Sequence, residues 1–218
     1  SCNCTFAQIA QLVGSDNLAK YARQFGILDS ISYTRELKRI GVGVLFLNDG
    51  IDTGDMLYKK EIEISDEDNY ETLHDKLAIL GGEAIVEALE LLEQGKLVAE
   101  KQNEDESCYA PMIDKKMGEI DFEKSAVVID RQIRGMTPWP SAYTKLDGKT
   151  FKIWKAKVVS EENEYATGCI IRVGKGEMLV QTGNGLLSLL EVQLEGKKRM
   201  EVDAFLRGYQ VEEGTFLG

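Results

Sequence analysis

Apolar residues at helical spacing predict two helices. In residues 66–94 they recur every three or four positions, on one face of a long helix: Tyr70, Leu73, Leu77, Leu80, Ala84, Ala88 and Leu91. Ser65 and the acidic residues 66–68 suit the start of this helix, and Gly95 suits its end. A shorter helix is predicted over 125–134, ended by Gly135 and Pro138.

Strand patterns flank these helices. Residues 40–64 contain two apolar runs on either side of Asn48-Asp49-Gly50, whose residue types favour a turn, so they predict strand, turn, strand. Beyond Tyr143, short runs are separated by glycine-containing turns and cover 150–159, 168–173, 177–181 and 186–192. Short strands spaced in this way are typical of a small barrel or sandwich.

The same patterns divide the chain into four segments. Residues 1–38 predict an amphipathic helix, with Phe6, Ile9, Leu12 and Val13 on one face. Residues 39–95 combine the two strands with the long helix, and a polar stretch makes 96–112 a linker. Residues 113–218 form the β-rich segment.

Composition narrows the class of protein. The chain is 43 % hydrophobic and 29 % charged, as expected for a packed globular protein. No apolar run reaches the roughly 20 residues that a membrane span needs. The first residue is Ser1 and a signal peptide is lacking, so we expect a processed product or a fragment that stays in the cytoplasm, with no membrane partner. Cys2 and Cys4 form an isolated pair, which argues against a metal site, and Cys169 fits a small core residue.

The net charge of −11 argues against a chain that binds nucleic acid through its overall charge. Residues 1–140 have 15 Lys+Arg against 26 Asp+Glu, whereas residues 141–218 have 11 of each. A nucleic-acid contact therefore needs a local basic cluster. Such a cluster is present in the β-rich segment: Lys145, Lys149, Lys152, Lys155, Lys157, Lys197, Lys198 and Arg199. The alternative interpretation is a solvated barrel surface, and Trp139 and Trp154 fit core or inter-domain packing.

The turn between the two predicted strands is the main candidate for chemistry. It reads Asp49-Gly50-Ile51-Asp52-Thr53-Gly54-Asp55, in which a carboxylate could act as an acid or base beside a ligand. The alternative is a plain polar turn. An aspartic protease would need a second Asp-Thr-Gly, and a calcium loop would need a different spacing of acids, so both are set aside. The one histidine, His74, fits a surface or half-buried position on the long helix.

Six motifs occur in order along the chain: Asn48 to Leu57, Tyr109-Ala110-Pro111, Ile120-Asp121-Phe122, Ile133 to Pro140, Ile153-Trp154-Lys155-Ala156 and Gly196 to Met200. This ordered series resembles the methionyl-tRNA formyltransferase family over residues ~41–218. The resemblance implies formyl transfer from 10-formyltetrahydrofolate to the amine of initiator methionyl-tRNA, without a metal. It implies Asp52 as the catalytic residue and Asn48, Asp49, Gly50 and Ile51 against the folate. It also implies a C-terminal tRNA-contacting barrel, with tRNA contacts at Lys145, Lys152, Lys197, Lys198 and Arg199.

The sequence departs from this family in its first part. The family's catalytic Asn and His, and the Ser-Leu-Leu-Pro loop that follows them, are absent from these 218 residues. Residues ~1–34 instead resemble a segment of the penicillin-binding-protein transpeptidase domain, with Ser1-Cys2-Asn3 at its S-x-N motif. That family's S-x-x-K and K-T-G motifs are absent, so acyl-enzyme chemistry is not expected.

The predicted fold class is α+β: a remnant of an α/β formyltransferase domain followed by a small C-terminal β-barrel domain. We expect a truncated, inactive and monomeric form of the enzyme. The alternatives are a tRNA-binding module without catalysis, a related folate-dependent formyltransferase acting on a sugar nucleotide or hydrolysing formyl-folate, and a stable barrel with an inert appendage. A gene fusion, a mis-joined reading frame or a designed chimera would each explain the mixed origin.

Overall fold

A β-hairpin and a long helix make up the described part of the first unit, Ser1–Met112. The computed structural model describes residues 39–46, 54–102, 112–159, 165–174 and 176–218. Strand β1 (Arg39–Leu45) pairs antiparallel with β2 (Met56–Glu63). Both predicted strands are confirmed. The predicted turn between them and the predicted helix in residues 1–38 lie outside the described residues.

Helix α1 (Tyr70–Glu93) packs against both strands and buries Leu73, Ala84 and Ala88. It begins four residues after the predicted start at 66, because Asn69 caps it. The Asn69 side chain accepts from the Thr72 backbone N–H (2.9 Å), and the Thr72 hydroxyl accepts from the Asn69 N–H (3.0 Å). The helix ends as predicted just before Gly95, whose φ of 67° is the left-handed conformation that glycine favours.

Polar contacts tie α1 to β2 across this packed layer. The Glu87 carboxylate accepts hydrogen bonds from the Tyr58 hydroxyl (2.6 Å) and from the Lys60 ammonium (2.5 Å). The Lys60 hydrogen bond, followed by that from Tyr58, holds the pKa of Glu87 below its ordinary value. The helix is therefore fixed in register on the hairpin by directional bonds as well as by apolar contact.

The residues after α1 return to the hairpin instead of leaving it. Glu100 exchanges two backbone hydrogen bonds with Met56, at 2.7 and 2.8 Å, as an isolated antiparallel bridge. The first part of the predicted linker 96–112 is thus held against the start of β2.

The second unit, Ile113–Gly218, is a six-stranded antiparallel sheet with two helices. Its elements are a 3₁₀ turn (Lys115–Gly118), α2 (Ala126–Gly135), β3 (Ala142–Leu146), β4 (Lys149–Val159), β5 (Ile170–Gly174), β6 (Glu177–Gln181), β7 (Leu186–Leu194), β8 (Met200–Glu201) and α3 (Val202–Gly208). The strand order is β3-β4-β7-β6-β5, and β8 pairs with β7. The predicted helix and four strands are confirmed within two residues at each end. Strands β3 and β8 and helix α3 were not predicted.

The core of this unit lies between α2, α3 and the inner face of the sheet. Phe151, Ile153, Leu187 and Leu189 of the sheet pack with Ile129 and Ile133 of α2. The side chain of Cys169 is buried, as predicted. Trp139 is 56 % exposed and so does not lie in the core, and inter-domain packing, the other position expected for it, stays a prediction.

The C-terminal segment contacts both edges of the sheet. Thr215 and Leu217 form backbone hydrogen bonds with Ile170 and Gly168, next to β5, and the Gly218 N–H donates to the Lys145 carbonyl of β3 (3.1 Å). In the described residues β3 and β5 do not pair directly. The structure therefore confirms a mixed helix-and-strand protein, and barrel closure stays a prediction.

Candidate active-site loop and basic face

The base of the loop that contains Asp52 is held by the hairpin. Asn48, Asp49, Gly50, Ile51 and Asp52 lie outside the described residues, so their predicted roles stay predictions. The described residues on either side show how the loop starts and ends. The Phe46 N–H donates to the Asp55 carbonyl (3.0 Å), which brings the two ends of the loop together.

Gly54 allows a close approach at this base. A Cβ added at Gly54 would lie 1.7 Å from the Phe46 carbonyl oxygen, so no other residue fits without displacement of the backbone. The Gln102 side-chain amide donates to the Gly54 carbonyl (2.6 Å). The described residues on either side of 47–53 thus meet in a closed, hydrogen-bonded base.

His74 lies on α1. Its Nδ1 is 3.0 Å from Asp75 Oδ1, and its side chain is 20 % exposed. This agrees with the predicted half-buried helix position. Among the described residues no group of three or more His, Cys, Asp and Glu side chains could hold a metal ion.

Four of the predicted basic residues of β3 and β4 lie on the outer face of the sheet: Lys145, Lys152, Lys155 and Lys157. Phe151 and Ile153 point into the core, which places Lys152 and Trp154 outward. The spacing from Lys152 to Lys155 is odd and would reverse the face in a regular strand. The β4–β7 register shifts between Ile153 and Lys155, and this bulge keeps Lys155 and Lys157 on the exposed side.

Neighbouring strands extend this outer face. Lys145 of β3 is exposed, and Tyr143 lies opposite Lys152 in the β3–β4 register. On the other side, Gln193 of β7 is the register partner of Lys152, and Glu191 is the partner of Lys155. The structure brings Lys145 and Lys152 onto one surface, which we call the basic face: Tyr143, Lys145, Lys152, Trp154, Lys155, Lys157, Glu191 and Gln193.

Arg199 stacks on Trp154 at the margin of the basic face. Its Cζ lies 4.6 Å from the indole centroid, and Lys152 Nζ lies 5.6 Å from the same centroid. The Arg199 guanidinium also donates two hydrogen bonds to the Glu191 carboxylate, at 2.6 and 2.5 Å. Unlike the other predicted tRNA contacts, Arg199 is therefore already paired with a carboxylate.

Lys197 and Lys198 belong to the turn between β7 and β8, residues 195–199. Both side chains are exposed, and within the described part of the chain neither ammonium group has a carboxylate partner within 4 Å. Glu195 is the first residue of this turn and is bound to β4, because its backbone N–H donates to the Thr150 carbonyl (2.8 Å). Its carboxylate accepts from the Thr150 N–H (2.9 Å), which lowers the pKa of Glu195.

Glu191 and Gln193 were not identified from the sequence. Their only signal is the polar alternation of Glu191, Val192 and Gln193 in β7, which is ordinary for a half-exposed strand. Their contacts with Arg199 and Trp154 depend on cross-strand register and on the bulge in β4, neither of which the sequence pattern specifies.

The first unit is a hairpin packed against a helix, and the second unit is a small antiparallel sheet with lysines on its outer face. Two family models match the chain: residues 31–89 match "Formyl transferase", and residues 112–210 match "Formyl transferase, C-terminal domain". The chain therefore belongs to the formyl transferase family, with residues from both domains.

Curated relatives carry the same two parts. The chain is 48 % identical over 176 residues to a methionyl-tRNA formyltransferase of Agathobacter rectalis, which covers 81 % of this chain and 57 % of the relative. It is 44 % identical over 180 residues to that of Caldanaerobacter subterraneus subsp. tengcongensis, covering 83 % and 58 %. The chain thus spans somewhat more than half the length of these relatives.

A solved structure shares the fold at low identity. HypX from Aquifex aeolicus in complex with tetrahydrofolic acid has a TM-score of 0.60 and 18 % sequence identity, covering 94 % of this chain and 36 % of that one. The comparisons give no support to the transpeptidase resemblance of residues ~1–34, and the formyl transferase match already begins at residue 31. In the described residues no helix is long and apolar enough to cross a membrane.

Proposed function

We propose that this chain is part of a methionyl-tRNA formyltransferase, which transfers the formyl group of 10-formyltetrahydrofolate to the amine of initiator methionyl-tRNA. The observation that carries this proposal is the match of both formyl transferase domains, at 48 % identity to a relative with that name. The substrates are those that the family resemblance implies. Related sugar N-formyltransferases are the main alternative.

In this proposal the loop of unit one supplies the chemistry. The amine nitrogen of methionyl-tRNA attacks the formyl carbon, and the bond from that carbon to the folate nitrogen breaks. The Asp52 carboxylate assists removal of the amine proton, and the released folate nitrogen takes up a proton. General base assistance of this kind contributes about 10²–10⁴-fold. Asn48, Asp49, Gly50 and Ile51 line the folate with their backbone. The closed base at Phe46, Gly54 and Gln102 supports the proposal, because it brings together the two described ends between which these residues lie.

The proposed roles of the two domains come from the same family resemblance. Residues 39–95 are the C-terminal part of the catalytic domain, and residues 113–218 are the tRNA-contacting domain. Closure of the latter into a barrel by the C-terminal segment is supported by its hydrogen bonds to β3 and to the start of β5.

The second unit binds tRNA through its basic face and the 195–199 turn. Exposed Lys145, Lys197 and Lys198 and half-buried Lys152 provide four ammonium groups for phosphates, and Arg199 contributes at the margin. Each phosphate contact releases counterions, so the association constant falls with salt in proportion to the number of contacts.

The 218-residue chain binds tRNA in this proposal but does not transfer the formyl group by itself. Its one histidine lies on α1, bonded to Asp75, and no Asn-His pair of the family pattern occurs in the sequence. We expect a monomer in the cytoplasm. Binding of tRNA without catalysis is therefore the activity that we expect of this chain by itself.

A salt titration of tRNA binding tests the proposal. The slope of log K against log salt is compared between the wild type and Lys197→Ala/Lys198→Ala. Because each lost phosphate contact flattens the slope by about one unit, we expect a decrease of about two units in the double variant. Lys115→Ala/Lys116→Ala, on the 3₁₀ turn of the same unit, removes the same charge and is the matched control. Equal slopes for wild type and Lys197→Ala/Lys198→Ala would contradict the proposed contact.

A further inference from the structure

The 195–199 turn is held against the sheet by side chains that the family resemblance does not assign to binding. The indole N–H of Trp154 donates to the Gln193 side-chain carbonyl (3.2 Å), and the Gln193 amide donates to the Lys197 backbone carbonyl (2.9 Å). An indole only donates and a backbone carbonyl only accepts, so the amide of Gln193 has one orientation that satisfies both. Gln193 therefore links the sheet to the middle of the turn.

A second connection uses the same indole. Arg199 stacks on Trp154 at 4.6 Å and is bonded to Glu191 through two nitrogens. Trp154 occupies the position at which the β4–β7 register shifts, and it faces outward by alternation with the buried Ile153. We call Trp154, Gln193, Glu191 and Arg199 the turn clamp.

The clamp fixes the backbone on both sides of Lys198. Position 197 is held by its N–H to the Leu194 carbonyl (2.9 Å) and by its carbonyl to Gln193, and position 199 is held by Glu191 and Trp154. The side chains of Lys197 and Lys198 remain exposed. The backbone of the turn is thus hydrogen-bonded on both sides of Lys198, and its two ammonium groups are exposed.

We propose that Trp154 and Gln193 are positioning residues for RNA binding, which hold the turn so that Lys197 and Lys198 reach adjacent phosphates without further ordering. Arg199 acts mainly as the anchor of the turn, since its charge is balanced by Glu191. This inference rests on the proposed tRNA contact and assigns to the clamp a role separate from charge. Holding a loop in its bound conformation raises affinity by lowering the entropy lost on binding.

A salt titration of RNA binding distinguishes loss of the turn clamp from loss of a phosphate contact. Loss of a phosphate contact changes the slope, whereas loss of pre-organisation weakens binding at every salt concentration and leaves the slope unchanged. Gln193→Leu removes both hydrogen bonds without a change of charge. Trp154→Phe removes the indole N–H and keeps an aromatic ring beneath Arg199.

The experiment measures binding of the full chain to unacylated initiator tRNA over a series of salt concentrations. We expect Gln193→Leu to weaken binding about tenfold, comparable to the cost of re-ordering one freed residue, with the wild-type slope. Trp154→Phe is expected to weaken binding less. Gln210→Leu makes the same chemical change at an exposed position after α3 and should bind like the wild type.

A measurement without RNA tests the clamp independently. Backbone ¹⁵N relaxation should give order parameters near the rigid value of about 0.85 for 196–199 in the wild type, and clearly lower values in Gln193→Leu. Unchanged affinity together with unchanged order parameters in Gln193→Leu would overturn the clamp and leave the proposed tRNA contact standing. An unchanged salt slope in Lys197→Ala/Lys198→Ala would instead overturn the proposed contact, and with it the role given to the clamp. Circular dichroism confirms that each variant is folded.

Discussion

Asp68 shows at the scale of one residue how a buried charge is compensated. Its side chain is 4 % exposed, and its carboxylate accepts hydrogen bonds from Lys76 (2.7 and 2.9 Å), from the Ser65 N–H and from the Thr72 hydroxyl (both 2.9 Å). Burial by itself raises the pKa of Asp68, but these hydrogen bonds outweigh it and lower the pKa from 3.8 to about 2. The residue thereby connects the chain before α1 to the first turns of the helix.

We predict that Asp68→Asn destabilises the protein by about 2 kcal/mol at pH 7. The folded-state pKa lies below the ordinary value, so this stabilisation is complete above about pH 4 and is lost as the pH falls through about 2. Urea unfolding followed by circular dichroism at pH 7 and pH 3 measures it, and the gap between variant and wild type should narrow at the lower pH.

Asp66→Asn is the matched control, because Asp66 is exposed and precedes the same helix. It should change the free energy of unfolding by less than about 0.5 kcal/mol. A gap between Asp68→Asn and wild type that is as large at pH 3 as at pH 7 would show that the carboxylate charge of Asp68 is not what stabilises this region.

At the scale of elements, replacement of a glycine by alanine is expected to lower the stability of the hairpin and to raise that of α1. Gly54→Ala places a Cβ 1.7 Å from the Phe46 carbonyl and should destabilise the unit by about 1–3 kcal/mol. Gly82→Ala on α1 meets nothing within 4 Å and should stabilise it by about 0.5–1 kcal/mol. Unfolding by urea compares the two variants, and a stable Gly54→Ala would contradict the closed loop base.

Elements with long or repeated patterns could be predicted from the sequence. Helix α1 follows from seven apolar positions at helical spacing, but its start at Tyr70 depends on the hydrogen bonds between Asn69 and Thr72. Helix α3 has only seven residues, Val202–Gly208, which is too short for a periodic pattern, and it is held by burial of Phe205. Strand β8 has two residues and exists through its pairing with β7.

The candidate site was predictable in its charges and not in its geometry. The basic residues were found from composition, but Lys152 and Lys155 share a face because of a bulge that the sequence pattern does not specify. Gln193 looks like any exposed strand residue, and its role depends on two partners 39 and 4 residues away along the chain. Side chains that act by holding others leave no signal in residue type.

At the scale of the whole molecule, the negative charge is unevenly distributed along the chain. The net charge of −11 arises in residues 1–140, and residues 141–218 are balanced. A balanced unit can bind a polyanion only through a local concentration of cations such as the basic face and the 195–199 turn. We propose that residues 113–218 bind tRNA and that the 218 residues by themselves do not transfer the formyl group.

Formyl transfer by the purified chain tests this claim most directly. The chain is incubated with 10-formyltetrahydrofolate and initiator methionyl-tRNA, with the longer relative from Caldanaerobacter subterraneus as positive control. We predict no formyl-methionyl-tRNA above the protein-free background, from a preparation that binds the tRNA with a salt-dependent affinity. Product formation by the chain that Asp52→Asn abolishes would contradict the account.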